Sequence, residues 1–119
     1  MNQNPTSNSE RRKYPRAKFQ ESVVVHNVVE SKSGNVFEVQ GNPLVVKAKD
    51  VSEGGIRLEV GNGSTLGKIF KLNFQIQKDK MVDVYSRLAW AGNGTYGLQF
   101  IVADEDIRRS IRGFVEKSK

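Results

Sequence analysis

Between Phe19 and Val102 the dominant period of hydrophobic residues is two, the repeat of a strand with one buried face, and only beyond Ala103 does the spacing turn helical. The segment IFKLNFQIQ (69–77) alternates most cleanly, with Phe70, Leu72, Phe74 and Ile76 on one side and Lys71, Asn73, Gln75 and Gln77 on the other. VDVYSRLAW (82–90) repeats it with Val82, Val84, Leu88 and Trp90 inward, TYGLQFIV (95–102) with Tyr96, Leu98, Phe100 and Val102, and GIRLEV (55–60) with Ile56, Leu58 and Val60. Earlier strands are predicted within 20–29, 35–40 and 43–49. SKSGN, QGNP, SEGG, VGNGS, QKDK and AGNGT separate these runs, each rich in residues that accept positive φ or bond their own backbone. Short strands at this spacing predict an all-β antiparallel meander closed as a small barrel. In ADEDIRRSIRGFVEKSK, Ile107, Ile111, Phe114 and Val115 share one helical stripe. Asp104 is the expected N-cap, acids lead and bases follow, and Gly113 weakens the last turn, so one C-terminal helix should dock on the barrel.

Composition adds bounds to this picture. A chain of 119 residues closes one core, and 37% hydrophobic with 27% charged residues is a globular balance. Residues 1–9 are polar and read as a flexible tail, leaving residues 10–117 as a single domain that includes an N-terminal basic loop. No apolar run reaches membrane-spanning length, and MNQNPTSNSE lacks the basic and apolar regions of an export signal, so the cytoplasm is the expected compartment. Zero cysteines exclude a disulfide framework and thiolate chemistry. The net charge of +6 favours an anionic partner without saying which: RNA, DNA, a nucleotide or a lipid headgroup.

The chemistry-bearing residues point away from catalysis. His26 is the sole histidine and sits on a period-two run, and nothing has the spacing of a zinc or nucleophile site, so neither an enzyme nor a metal or cofactor is expected. Two RxxxR pairs occur. Arg108 and Arg112 lie one turn apart on the polar side of the helix, where a solvated cationic face accounts for them. Arg12 and Arg16 lie in RRKYPRAKF, where Pro15 pushes Tyr14 toward an extended backbone and the arginines can reach around a ligand. Arginine's planar fork suits phosphate or the O6/N7 edge of guanine. In DVSEGG, Asp50 and Ser52 can bond turn amides while Gly54 or Gly55 supplies positive φ. The same residues admit a ligand: Asp50 can accept from a guanine N1–H and N2–H₂ edge, Ser52 can bond beside it, and Gly55 lets a flat base approach the backbone.

An RxxxR (Arg12, Arg16) in an N-terminal loop, a DxSxxG (Asp50, Ser52, Gly55) between two strands, and a GxxF (Gly97, Phe100) before a helix, preceded by Trp90, resemble the PilZ domain, the bacterial receptor module for cyclic di-GMP. The resemblance spans about residues 10–117 and implies a six-stranded antiparallel β-barrel with a C-terminal helix. It implies further that Arg12 and Arg16 hold phosphates and guanine Hoogsteen edges, that Asp50 and Ser52 fix a guanine, that Gly55 leaves room, and that Arg11 goes with an intercalated ligand dimer. A chain filled by one binding domain must act on a partner, here an effector protein that responds when the loop of residues 10–18 orders over the ligand. Two other readings compete. A ligand-independent interaction module would have no need of both motifs. A basic barrel for single-stranded nucleic acid needs exposed aromatics, whereas Phe70, Phe74, Trp90, Tyr96 and Phe100 fall on inward positions and leave Tyr14, Tyr85 and Phe37, too few for a stacking platform.

Overall fold

The computed structural model describes residues 14–30, 37–61, 67–77, 80–102 and 104–118; the tail, Arg11 and Arg12 lie outside these. Its elements are β1 (Arg16–Lys18), β2 (Ser22–Glu30), β3 (Phe37–Ser52), β4 (Gly55–Glu59), β5 (Ile69–Gln77), β6 (Lys80–Gly92), β7 (Thr95–Val102) and α1 (Glu105–Lys117). Strands β3, β2, β5, β6, β7 and β4 pair in that order, all antiparallel, and the β3–β4 pairing closes a six-stranded barrel, the small barrel that the pattern predicts with the strand number that the resemblance implies. It is not a meander, because the chain crosses over between β4 and β5, so that β2 pairs with β5 and β4 with β7. The three-residue β1 lies outside that circuit, extending the side of β3 that β2 occupies further upstream.

Alternation builds the core. Phe70, Leu72, Phe74 and Ile76 of β5 meet Val82 and Val84 of β6, Val23 and Val25 of β2, and Ile56 and Leu58 of β4, all buried. Leu98 is buried too, while Leu88, Tyr96 and Phe100 are partly so. The helix forms where the caps place it: Asp104 accepts from the Ile107 amide at 2.9 Å, and α1 runs through Gly113 to Lys117. Its stripe buries Ile111 and Val115 against the core, while Phe19 meets Phe74 and Phe114 edge-to-face, both at 5.5 Å between centroids.

Three local departures from the expected pattern shape the surface. QGNP does not break the chain into two strands; β3 is a single 16-residue strand in which Gly41 (φ 72°), Asn42 and Pro43 bulge opposite His26. A second bulge at Lys49 shifts the β3–β4 register between Ala48 and Asp50. Ala48 and Val51 both face the core, so Asp50 and Ser52 are turned to the outside. A third, at Ala89, shifts the β6–β7 register between Leu88 and Trp90, so Trp90, expected inward, lies on the surface with 45% of its area exposed. Of the turn signals, AGNGT holds as a hairpin with Asn93 and Gly94 at φ 53° and 75°, whereas Gly54 and Gly55 are not in the positive-φ region. No helix of the described residues is long and apolar enough to cross a membrane.

Candidate functional site

The β3–β4 hairpin has a two-residue loop, Glu53–Gly54, and its register pairs Ser52 with Gly55, Val51 with Ile56 and Asp50 with Arg57. Ser52 closes the turn by accepting from the Gly54 amide at 3.2 Å, the local role its motif position predicts. Asp50 does something else. Its Oδ2 accepts from Arg57 Nε at 2.7 Å and from Arg57 Nη2, and its Oδ1 accepts from Arg16 Nη1 at 2.8 Å. Arg16 reaches it because β1 pairs Arg16 with Ser52 and Lys18 with Asp50. The structure therefore brings one arginine of the N-terminal pair onto the acid of the second motif. The bond to Asp50 holds the pKa of Arg57 above its usual range, against a smaller opposing effect of burial.

The rest of the outer face continues across the strands. Arg57 is paired with Gly97, and Gly97 with Trp90. A Cβ on Gly97 would lie 2.2–2.8 Å from three atoms of the indole, so the glycine lets the Trp90 ring lie flat against β7. A half-exposed aromatic plane, a guanidinium fork and a carboxylate thus follow one another on neighbouring strands. Such a row can stack a flat base, bind an anion and accept N–H donors. Gly55 has a reason of its own: a Cβ there would lie 2.2 Å from the Leu98 carbonyl oxygen, so its missing side chain sets how closely β4 approaches β7.

The hairpin tip is tied to α1. Glu53 accepts from Arg112 Nε and Nη2, both at 2.9 Å, and Arg108 Nη2 lies 3.8 Å from the same carboxylate. Arg112's hydrogen bond lowers the pKa of Glu53, partly opposed by burial, and that of Arg112 rises in return. Arg108 also donates to the Tyr14 hydroxyl at 2.9 Å, its guanidinium 5.8 Å from the ring centroid. Tyr14 in turn packs against Gly54, where an added Cβ would meet its ring carbons at 3.0 and 3.3 Å. Arg108 and Arg112 are therefore not the solvated face expected of them; they clamp the helix to the signature hairpin and to Tyr14, the residue between the two motif arginines. Among the described residues no cluster of His, Asp or Glu could hold a metal ion.

Sequence reasoning overlooked Arg57, Glu53 and the outward turn of Trp90. The first was within reach, since counting back from a two-residue loop sets position 57 opposite 50. Glu53 carries no comparable signal, because its partner lies 59 residues away on another element.

The PilZ domain model matches residues 10–117. This chain belongs to the PilZ domain family. The PilZ likeness extends to solved structures, which at these identities bear on the fold. The PilZ domain of CeSA from a cellulose-synthesising bacterium superposes with a TM-score of 0.58 at 16% identity, over 87% of this chain and 96% of that one. The PilZ domain of YcgR from Escherichia coli, solved with c-di-GMP, gives a TM-score of 0.61 at 12% identity over 91% of each chain. No curated protein matches the chain.

Proposed function

We propose that this chain is a cyclic di-GMP receptor whose ligand lies across the outer face formed by Arg16, Asp50, Ser52 and Trp90. The observation that carries the reading is the contact of Arg16 with Asp50, which joins the two motifs at one point on the surface. Membership of a c-di-GMP receptor family supports it, as does the likeness to a YcgR domain solved with that nucleotide. In this reading Arg12 and Arg16 take phosphates and guanine Hoogsteen edges, Asp50 and Ser52 take the Watson–Crick edge of a guanine, and Arg11 favours an intercalated dimer of the ligand. Gly55 serves the site through the approach of β4 to β7.

Isothermal titration with cyclic di-GMP, with GTP and a short oligonucleotide as controls, tests this. Saturable binding that disappears in Arg16→Ala, at two ligands per chain, is the expected result. One ligand per chain would remove the role of Arg11, and binding of the oligonucleotide alone would overturn the nucleotide reading.

The receptor then acts on an effector protein by ordering its N-terminal segment. Tyr14 is anchored on Gly54 and Arg108, and Arg16–Lys18 are paired to β3, which narrows the segment proposed to order from residues 10–18 to residues 10–13. Trypsin cleavage after Arg11, Arg12 and Lys13 should slow with ligand; unchanged cleavage would sink the ordering step.

A further inference from the structure

Asp50 holds one guanidinium more than its charge requires. The residue is only 8% exposed, and each of its oxygens is taken by a different arginine, Oδ1 by Arg16 and Oδ2 by Arg57, so the trio carries a net positive charge. A carboxylate this enclosed tolerates poorly the loss of its last counter-ion. The two arginines hold it unequally. Arg57 sits directly opposite Asp50 in the β3–β4 ladder and gives two N–H groups to one oxygen. Arg16 gives one N–H from a three-residue strand at the margin of the sheet.

We infer that Arg57 is a positioning residue for the ligand site: it keeps Asp50 paired and aimed when Arg16 leaves that carboxylate for a phosphate of the nucleotide. The inference rests on the cyclic di-GMP reading. Arg16 can then be both held ready beside Asp50 and released to an anion, because its departure strands no buried charge. Without Arg57 the same departure leaves Asp50 with no guanidinium, so Arg16 stays on the carboxylate and ligand binding weakens, although nothing that touches the ligand has changed.

The test is a pair of mutant cycles on the full chain. In titrations with cyclic di-GMP, Arg57→Met should weaken binding by about 10- to 100-fold, the worth of hydrogen bonds to a charged group. Arg57→Lys, which keeps the charge opposite Asp50, should restore most of it. In an Asp50→Asn background, Arg57→Met should cost nothing further; a loss that persists there would mean that Arg57 touches the ligand, and would overturn the inference. So would Arg57→Met binding as tightly as the parent, although the nucleotide reading would survive. A parent chain that binds no cyclic di-GMP overturns that reading and the ligand half of this inference together. The second cycle needs no ligand. In urea unfolding, the folding constant of the Arg16→Ala, Arg57→Met double variant should fall about tenfold or more below the product of the single losses, because either arginine alone suffices for Asp50. Independent, multiplicative losses would refute the redundancy on which the inference depends.

Discussion

Replacing Gly55 by alanine separates a fold role from a ligand role at one motif position. An ideal Cβ at residue 55 would stand 2.2 Å from the Leu98 carbonyl oxygen and 3.3 Å from its carbonyl carbon. Real Cβ atoms do not approach within 3.0 Å, so β4 and β7 must part by at least ~0.8 Å at this point. The obstacle is backbone in the closed circuit of the barrel and cannot swing aside. The parting acts on the Phe100 amide to Gly54 carbonyl bond, 3.0 Å long, and on Ile56 and Leu98, which are buried opposite each other. Overpacking of this kind costs about 1–3 kcal/mol and one weakened backbone bond adds about 1 kcal/mol, so Gly55→Ala should destabilise by about 2–4 kcal/mol. Gly54→Ala is the control, because the closest atoms that the added Cβ meets, at 3.0 and 3.3 Å, are ring carbons of the Tyr14 side chain and not backbone. Its cost should stay below about 1 kcal/mol. Urea unfolding followed by far-UV circular dichroism measures both. A Gly55→Ala protein within about 0.5 kcal/mol of the parent would refute the reasoning, and if it also lost cyclic di-GMP, Gly55 would be a ligand residue as its motif position first suggested.

Two other outcomes follow from the same surface. The hydrogen bond from Arg112 lowers the pKa of Glu53, so the carboxylate stabilises the fold fully above its ordinary value of 4.5, and that contribution is lost as pH falls through the lowered folded value. Unfolding in urea between pH 7 and about pH 3 should therefore show a steeper acid-side loss in the parent than in Glu53→Gln; parallel curves would remove the clamp from the stability of the helix. Trp90 is the sole tryptophan and half exposed, so its fluorescence should be quenched on binding of cyclic di-GMP, and Trp90→Ala should weaken binding by about 1–3 kcal/mol while leaving the barrel folded. An unchanged emission spectrum at saturation would take Trp90 out of the site.

What was legible in the sequence follows from how regularly each element obeys its period. β5 alternates without interruption, and every inward residue it promised is buried. The stripe of α1 was equally plain, but a helical stripe names only the apolar side; it says nothing of what crosses the polar side, so the bonds of Arg108 and Arg112 to Tyr14 and Glu53 had no signature. The outward residues of the site were obscured for a different reason. By strict alternation Asp50 would share the core side with Ala48, and Trp90 with Leu88; one extra residue in each strand, Lys49 and Ala89, turns both outward. The two cases were not equally hidden. Tryptophan is acceptable in a core, so its parity raised no objection, whereas an unpartnered carboxylate beside Ala48 and Leu58 is not acceptable. The flanking residues could have exposed the shift: Ala48 and Val51 are both small and apolar, differ by an odd number of positions, and can both face inward only if the strand bulges between them. Once that bulge is placed, Asp50 must point out and the two-residue loop must set Arg57 across from it; Arg16 joins them only through the pairing of β1 with β3, which the hydrophobic pattern does not announce. The acid that breaks the alternation therefore points to the candidate site better than either motif by itself.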